Sequence, residues 1–197
     1  MAKPLARLTP DKCVFLICDV QERFRAAIHG FANVVVGSQR MLQASKELSI
    51  PTIVTEQYPK GLLKTVEELD VAGANNHAEV FEKTCFTMVC PGVSERLAAI
   101  DFTDAVIVGI EAHVCVQQTT LDLIAMGRNV HLCVDAVSSS TPVDRACGLH
   151  RCERAGAYLT TTESVLMELI RGKDHPSFKA ISTNLKETKV AEPLGFI

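Results

Sequence analysis

Six short, mainly apolar runs are the feature of this sequence that most restricts its fold. They lie at 13–20, 51–55, 78–83, 105–110, 129–136 and 157–160, and helical patterns separate them. A run that is apolar throughout fits a strand buried on both faces, and its alternation with helices predicts βαβ units. Because such crossovers are right-handed, we predict an α/β fold of three α-β-α layers around a doubly wound, mainly parallel six-stranded sheet.

The spacing of apolar residues predicts the elements between the strands. The predicted helices cover 36–48, 93–100, 115–126, 143–155, 164–170 and 175–186. The segment 56–69 is predicted as a loop because Pro59 and Gly61 interrupt it. No internal repeat or low-complexity linker divides the chain, and 197 residues suit one hydrophobic core. We therefore expect a leader at 1–11, one domain at 12–186 and a tail at 187–197.

Charge and hydropathy argue against two classes of partner. The net charge is −3, so no basic surface is expected to attract nucleic acid. No apolar stretch approaches the ~20 residues that a helix needs to cross a bilayer, so no membrane partner is expected. The cytosol is the expected location. Because the first twelve residues carry Lys3, Arg7 and Lys12 with a single acid, the mitochondrion stays an alternative.

The eight cysteines do not form a disulfide pattern. No CxxC pair occurs and no secretory apolar segment begins the chain, which favours a reducing compartment. Cys13, Cys18 and Cys133 lie inside apolar runs, where a thiol acts as a small hydrophobic residue, and we predict that they serve packing.

Three ionisable residues fall where predicted strands end. Asp19 follows the first strand, Lys83 ends the third, and Cys115 lies shortly after the fourth. Each alone has a structural explanation, as a loop anchor, a solvated lysine or a packing thiol. Ligands of doubly wound sheets bind at the carboxyl ends of the strands. There a carboxylate can accept the thiol proton, and an ammonium and the first turn of a helix both favour thiolate. The three residues therefore predict nucleophilic catalysis by Cys115.

Three motifs carry a resemblance to a known family. They are LICDVQERF (16–24), FEKTCFTM (81–88) and GIEAHVCVQQTTLDL (109–123), with weaker similarity in TEQYPKG (55–61) and VDAVSS (134–139). In this order and spacing they resemble the isochorismatase-like cysteine hydrolase superfamily, from about residue 12 to about residue 180. The resemblance implies a Rossmann-like hydrolase fold and a homo-oligomer.

The resemblance also implies roles for individual residues. The Asp–Lys–Cys triad of the family falls on Asp19, Lys83 and Cys115. The cis peptide found before the nucleophile in nicotinamidase-type relatives falls between Ile110 and Glu111. The backbone N–H groups of Glu111 and Cys115 would then form the oxyanion hole.

Four further residues are expected at the substrate pocket. Phe24 matches an aromatic residue of the pocket wall, and Gln21 matches the polar position after the catalytic acid, where it is expected to support the pocket. Gln57 and Tyr58 lie in the covering segment. Nicotinamidases bind a metal through an Asp-x-His motif after the second strand, where this sequence has Gln57 and Pro59. Neither replaces an anionic or imidazole ligand well, so no metal and no other cofactor are predicted.

These observations favour a metal-independent cysteine hydrolase of the amidase type, acting on a small amide or related acyl compound. Isochorismatases that cleave a vinyl ether generally lack the cysteine, so Cys115 argues against that reaction. Two alternatives stay open: a non-catalytic oligomeric binding scaffold that retains the triad, and an RNA-linked nuclease.

Overall fold

The computed structural model describes residues 5–75, 77–188 and 194–195. The predicted leader and tail are therefore described only in part, because 1–4, 189–193 and 196–197 lie outside the described residues. None of the helices in these ranges is long and apolar enough to cross a membrane.

Six strands form one sheet in which every neighbouring pair is parallel. They are β1 (Cys13–Cys18), β2 (Thr52–Gln57), β3 (Glu79–Lys83), β4 (Asp104–Ile110), β5 (Asn129–Ser138) and β6 (Tyr158–Thr160). Their order in the sheet is β3-β2-β1-β4-β5-β6. This is a doubly wound α/β sheet, and it confirms the predicted fold class.

Helices cover both faces of the sheet. They are α1 (Phe31–Leu48), α2 (Pro59–Leu62), α3 (Pro91–Ala98), α4 (Cys115–Ala125), α5 (Pro142–Ala155), α6 (Thr162–Ile170) and α7 (Phe178–Glu187). Side chains of β1 alternate between two cores: Phe15 and Ile17 pack with α1, α6 and α7, whereas Leu16 and Cys18 pack with α3, α4 and α5. Burial on both faces is the reason that β1 reads as a continuous apolar run.

Several predicted boundaries were wrong. The first strand was predicted to reach residue 20, but β1 ends at Cys18 because Asp19 takes a left-handed φ of 53°. Helix α1 begins at Phe31, five residues before the predicted start at 36, because Phe31, Val34 and Val35 add buried contacts to its first turns. The segment 56–69 is not entirely loop: β2 continues to Gln57, and α2 follows with Pro59 in its first turn. Proline interrupts a helix interior but is tolerated in the first turn, where its missing N–H has no helical partner.

The chain changes winding direction at β1, which lies between β2 and β4. Cys18, the last residue of β1, pairs with Thr55 on one side and with Gly109 on the other. Gly109 has φ +116°, and a Cβ there would lie 2.2 Å from the Cys18 carbonyl oxygen. Only glycine allows this close approach, so β4 leaves the sheet directly beside the end of β1. The crevice at this switch point is the usual ligand site of such a sheet.

Candidate active site

Asp19 leaves the end of β1 with its carboxylate held by two donors. Its backbone adopts a left-handed φ of 53°, and the residue is 1% exposed. The Thr55 hydroxyl donates to Oδ1 at 2.7 Å, and the Lys83 ammonium donates to Oδ2 at 2.7 Å. The carboxylate is therefore fixed in direction by β2 and β3, the two strands on one side of β1.

Lys83 is enclosed by acceptors. Besides Asp19, its Nζ donates to Gln57 Oε1 at 2.7 Å and to the carbonyl oxygens of Cys85 at 3.2 Å and Phe86 at 2.9 Å. Its side chain is 0% exposed. Four acceptors surround three N–H bonds, so the ammonium has no proton left for another partner.

The charge state of Lys83 follows from its neighbours. Burial by itself lowers the pKa of a lysine, because it removes the ammonium from water. Here Cys18, Asp19 and Cys115 oppose that effect, and together they hold the pKa of Lys83 above its ordinary value. The lysine is therefore a permanent positive charge beside both the carboxylate and the Cys115 thiol.

Cys115 is the first residue of α4 and is 7% exposed. The peptide bond between Ile110 and Glu111 is cis. Within the described residues, the backbone N–H groups of Glu111 and Cys115 donate to no acceptor. Two unpaired N–H donors close to a thiol are the elements from which an oxyanion hole is built.

The loop before Cys115 is held from two sides. The N–H of Ala112 donates to the Ser138 carbonyl at 2.8 Å, and the Glu111 carboxylate accepts from the Ser140 N–H at 2.8 Å. Helix α5 packs against it at Gly148, where a Cβ would lie 2.6 Å from the backbone of Ala112. The position of this loop therefore depends on β5 and α5.

The loop after Lys83 is joined to helix α4 through one hydroxyl. Thr119 Oγ1 donates to the Cys115 carbonyl at 2.7 Å and accepts from the Met88 N–H at 2.8 Å. The segment whose carbonyls enclose Lys83 therefore rests on the first turns of α4.

Asp19 and Cys115 open into one cavity of about 660 Å³. Its apolar wall consists of Phe24, Tyr58, Leu62, Phe86, Ile110 and Val114. The polar side chains along it are those of Asp19, Gln57, Thr84, Glu111 and Cys115. No Lys, Arg or His of the described chain lines it. The volume is in the range of small-molecule sites.

Three of the four predicted pocket residues, Phe24, Gln57 and Tyr58, line this cavity, whereas Gln21 does not. Gln21 is 0% exposed. Its Nε2 donates to the carbonyls of Gln57 at 2.9 Å and Leu63 at 2.7 Å, and its Oε1 accepts from the Gln57 N–H at 2.7 Å. Because backbone groups occupy both ends of the amide, Gln21 supports the covering segment from behind.

Cys18 and Thr55 are site residues that sequence reasoning missed. Cys18 packs in the core as predicted, and its thiol also lies 3.6 Å from Asp19 Oδ2. Burial, the hydrogen bond with Cys115 and the nearby Asp19 charge raise the pKa of Cys18 well above its ordinary value. Cys18 therefore stays protonated at neutral pH. A thiol within an apolar run carries no signal that separates this position from ordinary packing.

The residues at the position of the nicotinamidase metal motif do not suit a metal. Gln57 directs its Oε1 to Lys83 and its Nε2 to the Thr84 carbonyl at 3.0 Å, and Pro59 offers no ligand atom. The described part of the chain contains no group of three His, Cys, Asp or Glu side chains arranged to hold an ion.

Comparison with known proteins places this geometry in a family. The family model described as Isochorismatase domain matches residues 13–164. Isochorismatase domain-containing protein 1 of Danio rerio is 48% identical over 183 residues, or 92% of this chain and 64% of that protein. The chain thus spans less than two thirds of that relative's length. Isochorismatase domain-containing protein 2 of Danio rerio is 43% identical over 178 residues, or 90% of this chain and 88% of that protein.

A solved structure is also similar to this chain over nearly its whole length. The Caenorhabditis elegans protein named MAR1 ribonuclease superposes with a TM-score of 0.88 at 43% identity, covering 98% of this chain and 100% of that chain. The motifs, the sheet order and these matches agree, which confirms the resemblance. The chain belongs to the isochorismatase family, a family of hydrolases.

Proposed function

We propose that this chain is a cysteine hydrolase that cleaves a small amide or a related acyl compound through a thioester on Cys115. The observation that carries the proposal is the meeting of Asp19, Lys83 and Cys115 at the switch point of the sheet. A carboxylate, an ammonium and a thiol are the groups that general acid–base and nucleophilic catalysis need.

The reaction begins when the Asp19 carboxylate accepts the Cys115 proton and the thiolate attacks the carbonyl carbon of the substrate. The N–H groups of Glu111 and Cys115 stabilise the negative oxygen of the tetrahedral intermediate. When the intermediate collapses, the carbon–nitrogen bond breaks and Asp19 returns its proton to the leaving amine. Asp19 then deprotonates a water molecule, which attacks the thioester carbon. The carbon–sulfur bond breaks, the acid leaves, and Asp19 returns the proton to the Cys115 sulfur.

Lys83 acts by charge in this mechanism, without touching the substrate. Before proton transfer its ammonium pairs with the Asp19 carboxylate, and after transfer it stabilises the Cys115 thiolate. The positive charge stays at one place while the negative charge moves from oxygen to sulfur. Fixed charges of this kind need no reorganisation during the reaction.

A ribonuclease is the second candidate, because the Caenorhabditis elegans relative carries that name. Two features weigh against it. The net charge is −3, and no Lys, Arg or His of the described chain lines the cavity. Binding of RNA depends largely on pairing phosphates with cations, and its affinity falls as salt rises.

The test is a screen of small amides, imides and ureides for ammonia release, with Cys115→Ala and Cys147→Ala as the variant and its control. Cys147 is an exposed thiol on α5. We expect Cys115→Ala to lose activity by about a thousandfold or more, and Cys147→Ala to retain it. Mass spectrometry should find an acyl adduct on Cys115.

Other outcomes would contradict the proposal in distinct ways. Full turnover by Cys115→Ala would exclude covalent catalysis. Cleavage of RNA that requires Cys115, without any turnover of amides, would favour the nuclease. No turnover and no adduct would favour a binding scaffold. The homo-oligomer and the cytosolic location stay predictions, which light scattering and cell fractionation test.

A further inference from the structure

We propose that the acyl part of the substrate is uncharged and largely apolar, and that this pocket rejects carboxylates and phosphates. The inference deepens the proposed function and rests on it for the identity of the reacting group. It follows from the charges around the cavity and from the bonding of Lys83.

Lys83 is the cation of the catalytic centre, and it is not available to a substrate anion. Its three N–H bonds are shared among the oxygens of Asp19, Gln57, Cys85 and Phe86. Its side chain is fully buried and does not line the cavity that reaches Cys115. A carboxylate on the substrate could pair with Lys83 only by displacing one of these acceptors.

Other cations near the cavity are also occupied or lie outside it. Arg25 binds the carboxylates of Glu22 and Glu68, and Lys64 binds those of Glu56 and Glu82. Lys60 is exposed and lines a neighbouring cavity of about 470 Å³. Arg23 is exposed and is not a lining residue.

The lining itself opposes a negative group. Asp19 and Glu111 are the acidic residues on it, no cationic residue of the described chain lines it, and the remaining wall is mostly apolar. An anion that entered this cavity would give up part of its hydration without gaining a counter-charge, which is unfavourable. An uncharged acyl group loses little on entering and gains contact with Phe24, Leu62 and Val114.

The size of the cavity adds to the argument. About 660 Å³ is more than a one- or two-carbon acyl group fills. A longer aliphatic chain or a ring would use the apolar wall, while its carbonyl lies between Cys115 and Glu111. The favoured substrate is therefore a neutral amide with a medium-sized hydrocarbon acyl group.

The first test measures charge selectivity without a substrate. Iodoacetamide and iodoacetate differ in charge but react alike, since the thiolate displaces iodide from carbon in both. Peptide mass spectrometry gives the ratio of their alkylation rates at Cys115 and at the exposed Cys147 of the same chain. We expect the preference for iodoacetamide to be about tenfold or more greater at Cys115 than at Cys147.

A charge variant sharpens this test. Leu62→Arg introduces a cation on the apolar wall, and Leu62→Gln is its uncharged control of similar length. In the arginine variant, the ratio of the iodoacetamide rate to the iodoacetate rate at Cys115 should fall to the ratio measured at Cys147. In the glutamine variant, the ratio at Cys115 should stay at its wild-type value. Equal ratios at Cys115 and Cys147 in the wild type, or an equal response to both variants, would overturn the inference.

The second test uses turnover. Hexanamide and the monoamide of adipic acid have chains of equal length and differ in a terminal methyl or carboxylate. We expect kcat/KM for hexanamide to exceed that for the acid by about a hundredfold or more. Equal turnover would refute the inference but not the proposed function. No turnover of either or of any compound in the screen of amides, imides and ureides, with charge-selective alkylation retained, would support the selectivity of the pocket and refute amide hydrolysis.

Discussion

Replacement of Lys83 by methionine tests the electrostatic centre of the site. The change keeps most of the side-chain volume and removes the ammonium. It leaves the Asp19 carboxylate buried without its counter-charge, and it leaves three neutral oxygens without their shared donor. Because both side chains of the ion pair are almost completely buried, the loss is not moderated by solvent.

The expected loss can be worked out from these contacts. Breaking a buried ion pair by removing one partner typically costs about 3–5 kcal/mol of unfolding free energy. The hydrogen bond that Asp19 accepts from Thr55 persists, so we expect a value inside that range. In a cycle with Asp19→Asn, the double variant should recover about 2–3 kcal/mol relative to the sum of the single variants.

Urea unfolding measures these free energies, provided that the slopes of the four transitions agree. Lys173→Met is the matched control, because the Lys173 side chain is 81% exposed and pairs only with exposed Asp174 among the described residues. That variant should unfold at the wild-type midpoint. Two results would contradict a stabilising Lys83–Asp19 ion pair. One is a loss of unfolding free energy in Lys83→Met no greater than that in Lys173→Met, and the other is a strictly additive cycle.

Three further predictions concern the surroundings of the site. Gly148→Ala places a methyl group 2.6 Å from the backbone of the loop before the nucleophile, so it should cost about 1–3 kcal/mol in urea unfolding and slow alkylation of the active thiol, while Gly172→Ala, with open space around it, should do neither. Thr55→Val removes the hydroxyl that donates to Asp19 at 2.7 Å and should cost about 1.5–3 kcal/mol, whereas Thr55→Ser should retain most of the stability; equal losses would refute the hydrogen bond. Burial raises the pKa of Cys152 from 9.0 to about 11, so the folded state keeps a proton that the unfolded chain releases. The stability that this thiol contributes is complete below pH 9.0 and decreases as pH rises towards 11, so the difference in unfolding free energy between wild type and Cys152→Ala should shrink by about 2–3 kcal/mol over that range, and a constant difference would contradict the assignment.

The fold could be predicted because its strands are buried on both faces. Residues 13–18 and 105–110 are apolar throughout, and this pattern alone suggests a covered parallel sheet. The elements that prediction missed depend on tertiary contacts. The first turns of α1 are helical because Phe31 and Val34 pack into the core, and α2 is too short to produce a periodic pattern. The sequence pattern therefore predicted the layers of the fold more accurately than the first and last residues of its helices and strands.

The site could be predicted in part for a different reason. Asp19, Lys83 and Cys115 are recognisable because their side chains carry the chemistry and because strand ends bring them to one edge. The acceptors that enclose Lys83 include the carbonyls of Cys85 and Phe86, which every residue type possesses. No sequence pattern identifies a backbone carbonyl as part of a site. The acceptors around Lys83 could therefore not be predicted from the sequence and are seen only in the folded structure.

The hydroxyl of Thr119 has a consequence for attempts to transfer this site to another protein. It joins the backbone of Cys115 to that of Met88. The position of the Cys115 sulfur and that of the carbonyls around Lys83 therefore depend on the same hydroxyl. Grafting only the three ionisable side chains onto a foreign α/β scaffold would leave the ammonium without its carbonyl acceptors. A functional transplant would have to carry the 84–88 segment and the opening turns of α4 together as one unit.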